Sequence, residues 1–83
     1  MDHVTVYIQP FVLNQVIGVY SDGKCIKSVE CKIHDLDKVC MKLCKDYNMH
    51  QIDLGGSPQF AKHIKDKIVE NKFENYEINV EIH

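Results

Sequence analysis

Only two stretches of this chain space their apolar residues at helical intervals, whereas five others alternate or carry short β-branched runs. Two helices cannot cover both sides of a five-stranded sheet. A chain so patterned folds as a two-layer α/β domain and leaves part of its β-layer bare.

The five strand segments are well punctuated. Val4-Thr5-Val6-Tyr7-Ile8 alternates and closes at Gln9-Pro10, and Gln15 to Tyr20 is rich in β-branched residues. Asp22-Gly23 supplies the positive-φ pair of a tight hairpin, so Lys24 to Ile33 is the third strand of an antiparallel meander. Gln51 to Leu54 is a short fourth strand, which Gly55-Gly56 is expected to break. In the last, Tyr76, Ile78, Val80 and Ile82 alternate with Glu77, Asn79, Glu81 and His83, giving one dry and one wet face.

The first helix is expected to open at Asp35 as N-cap and to bury Leu36, Val39, Cys40, Leu43, Cys44 and Tyr47, with Asn48 at its end. In the second, Ser57 caps, Pro58 takes the first helical position, and Phe60, Ala61, Ile64 and Ile68 point inward as far as about Lys72.

The order is thus βββαβαβ. Crossovers between parallel strands are right-handed in nearly all cases, so a mixed sheet ordered 3-2-1-4-5 places both helices on one face. Val4, Val6, Ile8, Ile52, Leu54, Ile78, Val80 and Ile82 would face them. Thr5, Tyr7, Gln9, Ser28, Glu30, Asp53, Glu77, Asn79 and Glu81 would face away, onto an open surface.

Composition narrows the functional classes. The 83 residues form one domain, 1–83, with 45% apolar content for a single core and a modest expected stability on the order of 5 kcal/mol. Homodimerisation stays open as a source of further stability. Ten lysines, no arginine and a net charge of −2 lack the basic footprint of a nucleic-acid binder. No stretch approaches the roughly 18 apolar residues of a membrane span, and the first residues lack a signal-peptide pattern. The chain is therefore expected in the cytoplasm with its four cysteines reduced.

The order of elements resembles the ribonuclease H-like fold, whose half-domain is duplicated in actin-like and heat-shock-chaperone ATPases. Ile52-Asp53-Leu54-Gly55-Gly56-Ser57-Pro58-Gln59-Phe60 is similar to the strand, Gly-Gly-Ser turn and helix that contact adenosine in those ATPases. The family's nucleases hold two Mg²⁺ ions with carboxylates, one of them in the middle of strand 1. Here strand 1 offers only Thr5, Tyr7 and Gln9 on its open side, with Asp53 matching one family acid, so neither activity carries over. The sequence style also resembles small proteins of bacteriophages and prophages, which implies a host or phage protein as partner, inhibited or modulated by binding.

Site candidates divide between structural and functional roles. Cys25, Cys31, Cys40 and Cys44 are expected to pack in the core as small hydrophobes, since only Cys40 and Cys44 are closely spaced and both lie on the helix stripe. His3, His34, His50, His63 and His83 are scattered and pair with no obvious nucleophile. No catalytic residue, metal site or cofactor is expected, and the open-face acids Glu30, Asp53, Glu77 and Glu81 are expected to be solvated surface, with a recognition patch or a weak divalent-cation site as the alternative. Gly55, Gly56 and Ser57 stand where a helix N-terminus can take phosphate or a nucleotide, although Pro58 removes one N–H. Phe11-Val12-Leu13 is an apolar trio in a connection that should be polar. It either tucks under the helices or forms, with Tyr7 and Glu30 of the open face, a contact surface for a protein partner or a second copy. A non-enzymatic interaction module is the leading expectation, and a nucleotide- or phosphate-binding module the alternative.

Overall fold

The computed structural model describes residues 2–71 and 75–83. Its elements are β1 (His3–Ile8), β2 (Asn14–Ser21), β3 (Lys24–Lys32), α1 (Leu36–Asp46), β4 (Gln51–Gly56), α2 (Pro58–Glu70) and β5 (Asn79–Ile82), with a 3-10 turn at Ile33–Asp35. The sheet is ordered β3-β2-β1-β4-β5, as expected from the sequence. β1–β2 and β2–β3 pair antiparallel, and β1–β4 and β4–β5 pair parallel.

The register lines up the core. Val4 stands opposite both Val19 and Ile52, and Ile52 opposite Val80, forming one apolar row across four strands. Val6, Ile8, Ile17 and Leu54 share that face, because side chains two apart along a strand point the same way. Both helices pack there: Leu36, Cys40, Leu43 and Cys44 of α1 and Ala61, Ile64 and Ile68 of α2 belong to the same buried cluster. Each fully buried Ile or Leu, such as Ile8, Ile17, Leu36, Ile52 or Leu54, contributes about 1.5–3 kcal/mol.

Several local expectations are corrected. β3 stops at Lys32, and the 3-10 turn intervenes before α1, so Asp35 precedes the helix without a side-chain capping bond. Ser57 likewise makes no side-chain cap, while Pro58 does occupy the first turn of α2. Gly55 and Gly56 do not break β4; they extend it and pair with Tyr7 and Ile8. The reason is steric: a Cβ on Gly56 would lie 2.0 Å from the Ile8 carbonyl oxygen, so only glycine lets the two backbones meet. Phe60 is exposed rather than inward, and Ile82 at the end of the edge strand is exposed as well. α2 ends at Glu70; Lys72 lies outside the described residues. β5 is shorter than the alternation from Tyr76 suggests. Tyr76 instead directs its hydroxyl at the Cys44 and Met49 carbonyls, 3.0 and 2.8 Å away, tying the approach to β5 to the end of α1. At Asn48 the backbone turns left-handed, φ 54°, as suits a helix-terminating asparagine.

Candidate functional site

Among the described residues no element covers the face of the sheet turned away from the helices, and its side chains fall into rows fixed by the ladder. Ser28, Gly18, Thr5, Asp53 and Glu81 stand in register across all five strands. This central row is low where it crosses β3, β2 and β1, and acidic on β4 and β5. Beside it, Tyr7 pairs with Gly55 and Val16 with Glu30. The Tyr7 ring lies against Gly55, 3.4 Å from where a Cβ would stand. Tyr20 lies over Gly18 and stacks on the His3 ring, the two nearly parallel with centroids 5.5 Å apart. Both glycines on this face are thus roofed by tyrosines.

The sequence candidates Tyr7 and Glu30 do lie on this face, both exposed, and Tyr7 is 64% exposed. Val16, which sequence reasoning left inside an undifferentiated strand, is 57% exposed there. Its signal was available: it alternates with Gln15 and Ile17, so one of the two sets had to face outward. At this end of the sheet the β1–β2 connection carries the apolar trio. It does not tuck under the helices. Phe11 is 100% exposed, Leu13 75% exposed, and Val12 is exposed too. Phe11 also holds a left-handed backbone, φ 64°, a conformation unfavourable for a bulky side chain.

The loop that presents Phe11 is fastened from beneath. Gln15, buried on the helix-covered face, accepts the Gln9 N–H on its Oε1 at 3.2 Å and donates from Nε2 to the Val12 carbonyl at 2.7 Å. On the far side, Ile33 N–H donates to the Leu13 carbonyl at 2.7 Å.

At the Gly55-Gly56-Ser57 turn, β4 runs almost directly into α2. The Ser57 N–H donates to the Ile8 carbonyl at 2.8 Å, extending the β1–β4 ladder, and Pro58 has no N–H. Ala61 N–H already bonds to the Ser57 carbonyl, so Gln59 and Phe60 supply the remaining amides of that first turn.

The cysteines separate by environment. A register shift between Val19 and Tyr20 places Cys25 opposite Tyr20 and Cys31 opposite Gln15, on opposite faces. Cys25 is therefore exposed, correcting the expectation that all four pack inward; Cys40 and Cys44 are fully buried. Burial pushes the Cys44 thiol up to about 12. Cys40 is also raised, first by burial and then by Cys44, Cys31 and Asp37 nearby. Thiols so raised stay protonated and make poor nucleophiles.

On the β4–β5 side, the ladder assembles residues that are dispersed in sequence. His83 Nε2 lies 3.2 Å from Asp53 Oδ1 and 3.6 Å from Glu81 Oε2, and His3 Nε2 lies 3.9 Å from Asp53 Oδ2. Gln51 donates to Asp53 Oδ1 at 2.9 Å, and Asn79 donates to Gln51 Oε1 at 2.6 Å. The alternation in sequence already puts Asp53, Glu81 and His83 on the open side; what it could not give is the register that sets Asp53 beside Glu81 and brings His3 near.

No family model matches the chain, nor does any curated protein or solved structure. No helix among the described residues is long and apolar enough to cross a membrane.

Proposed function

We propose that this protein is a non-enzymatic contact module that binds protein through the Phe11 end of its bare sheet face, and that a second copy of the chain is its first occupant. The observation that supports this most is Phe11 itself. Its ring is wholly in solvent and its backbone sits at positive φ, so in the isolated chain the backbone conformation costs stability and the ring gains no burial to offset it. Strain and exposure combined at one bulky residue, with the loop around it fastened by hydrogen bonds, suit a contact made with another surface. Tyr7, Val16, Leu13 and Phe11 would form the apolar centre of that contact, with Glu30 at its rim.

A small core and a low net charge of −2 favour self-pairing, since little repulsion opposes it and association adds burial that 83 residues supply sparingly. If a host or phage protein occupies the surface instead, the purified chain stays monomeric and Phe11 is required for the mixed complex.

An NMR dilution series tests the self-pairing. Amide shifts of Tyr7, Phe11, Val12, Leu13 and Val16 are expected to move with protein concentration while those of α1 and α2 stay fixed. Shifts that are independent of concentration, or that move on the helix side, would remove a second copy as the occupant.

A further inference from the structure

We infer that Asp53, Glu81 and His83 form a binding site for a divalent transition-metal ion of the Zn²⁺ type, a site independent of the Phe11 contact. One ligand atom from each of the three lies within 4.8 Å of the other two. Ligand atoms around a tetrahedral ion with bonds of about 2.0–2.2 Å stand about 3.4 Å apart. The His83 Nε2 separations from Asp53 Oδ1 and Glu81 Oε2, 3.2 and 3.6 Å, bracket that edge.

The ligands are positioned by the sheet and not by a loop. Asp53 and Glu81 are direct partners in the β4–β5 ladder. His83 follows Glu81 by two residues, hence on the same face, and its own N–H is fixed to the Leu54 carbonyl at 2.8 Å. Gln51 and Asn79 then hold the two carboxylates from outside: Gln51 donates to Asp53, and Asn79 reaches Glu81 Oε1 at 3.4 Å. The group lines an open cavity of about 330 Å³ together with His3, which brings a second imidazole within 3.9 Å of Asp53.

The donor set selects the ion. Imidazole with carboxylates suits Zn²⁺ and its first-row neighbours. Mg²⁺ prefers oxygen and retains its waters, and Ca²⁺ takes six to eight oxygens, more than this group offers.

Isothermal titration of the full chain with ZnCl₂ and, separately, MgCl₂ tests the site. One Zn²⁺ per chain is expected, with no heat from Mg²⁺ at the same concentration. Asp53→Asn and His83→Gln should each weaken Zn²⁺ by tenfold or more, and Gln51→Ala by about tenfold through the lost outer hydrogen bond. Cys25→Ser, which removes the exposed thiol, should bind as the parent does. Co²⁺ should give visible d–d bands without a thiolate-to-metal band. His83→Gln, at an exposed position, keeps the test decisive if Asp53→Asn fails to fold. Absence of Zn²⁺ binding, equal binding by His83→Gln, or a thiolate band would each overturn the inference.

Discussion

Gln15 Nε2 donates to the Val12 carbonyl at 2.7 Å, so a polar side chain in the covered face of the sheet holds the loop that carries Phe11 into solvent. The same amide group accepts the Gln9 N–H, which closes the loop at both ends. The sheet and the Phe11 loop are coupled at this one residue.

Replacing that residue with an isosteric apolar one should therefore loosen the loop. Gln15→Leu leaves the Val12 carbonyl and Gln9 N–H without their partner and is expected to cost about 1–3 kcal/mol. Urea unfolding gives the loss. Amide exchange should show faster opening over residues 9–13 than elsewhere in the sheet. A variant as stable as the parent, with the loop unchanged, would show that the clasp is dispensable.

Phe11 makes the opposite prediction for stability. Glycine occupies φ 64° without the Cβ penalty, so Phe11→Gly should stabilise the chain by about 1 kcal/mol while weakening association. Added backbone freedom in the unfolded chain offsets part of this gain. A thermal melt at low protein concentration reads the folding term alone. A lower melting temperature in Phe11→Gly would mean that the ring contributes to the fold, against its complete exposure.

Gly56 tests the fusion of β4 to α2. With φ 91° and no room for a Cβ beside the Ile8 carbonyl, Gly56→Ala should cost about 3 kcal/mol or more. Gly23→Ala at the β2–β3 turn also meets positive φ but has open space around it, so its loss should be smaller. Equal denaturation midpoints for the two variants would contradict the close approach.

The buried thiols set the alkaline limit of stability. Cys44 holds its proton in the folded chain up to about 12, whereas an unfolded cysteine releases it near 9.0. Between those values the folded state binds more protons than the unfolded one, so stability falls as pH rises from about 9 toward 12. The Cys44 contribution is fully present below pH 9. Melting temperatures across that window should decline, and less steeply in Cys44→Ala. With a thiol reagent at neutral pH, Cys25 should react rapidly, and Cys40 and Cys44 only after unfolding.

The strand order was legible in the sequence because the Asp22-Gly23 turn and two crossovers leave few ways to connect five strands. The bare face followed from counting helices. What spacing could not convey was local. Gly55-Gly56 looks like a strand breaker in sequence, yet serves as the place where β4 meets the Ile8 backbone. The register shift at Tyr20 reverses the side on which Cys25 emerges, and no residue pattern announces a bulge there. His3 and Asp53 became neighbours of Glu81 and His83 only through pairing, since parallel strands align residues by register and not by proximity in the chain.

Sedimentation velocity of the parent and of Phe11→Asp, over a wide range of concentrations, bears most directly on the role of the exposed phenylalanine. The parent should shift from monomer toward dimer as concentration rises. Phe11→Asp should remain monomeric with an unchanged circular dichroism spectrum. Identical sedimentation of the two proteins at every concentration would contradict self-pairing through this end of the sheet.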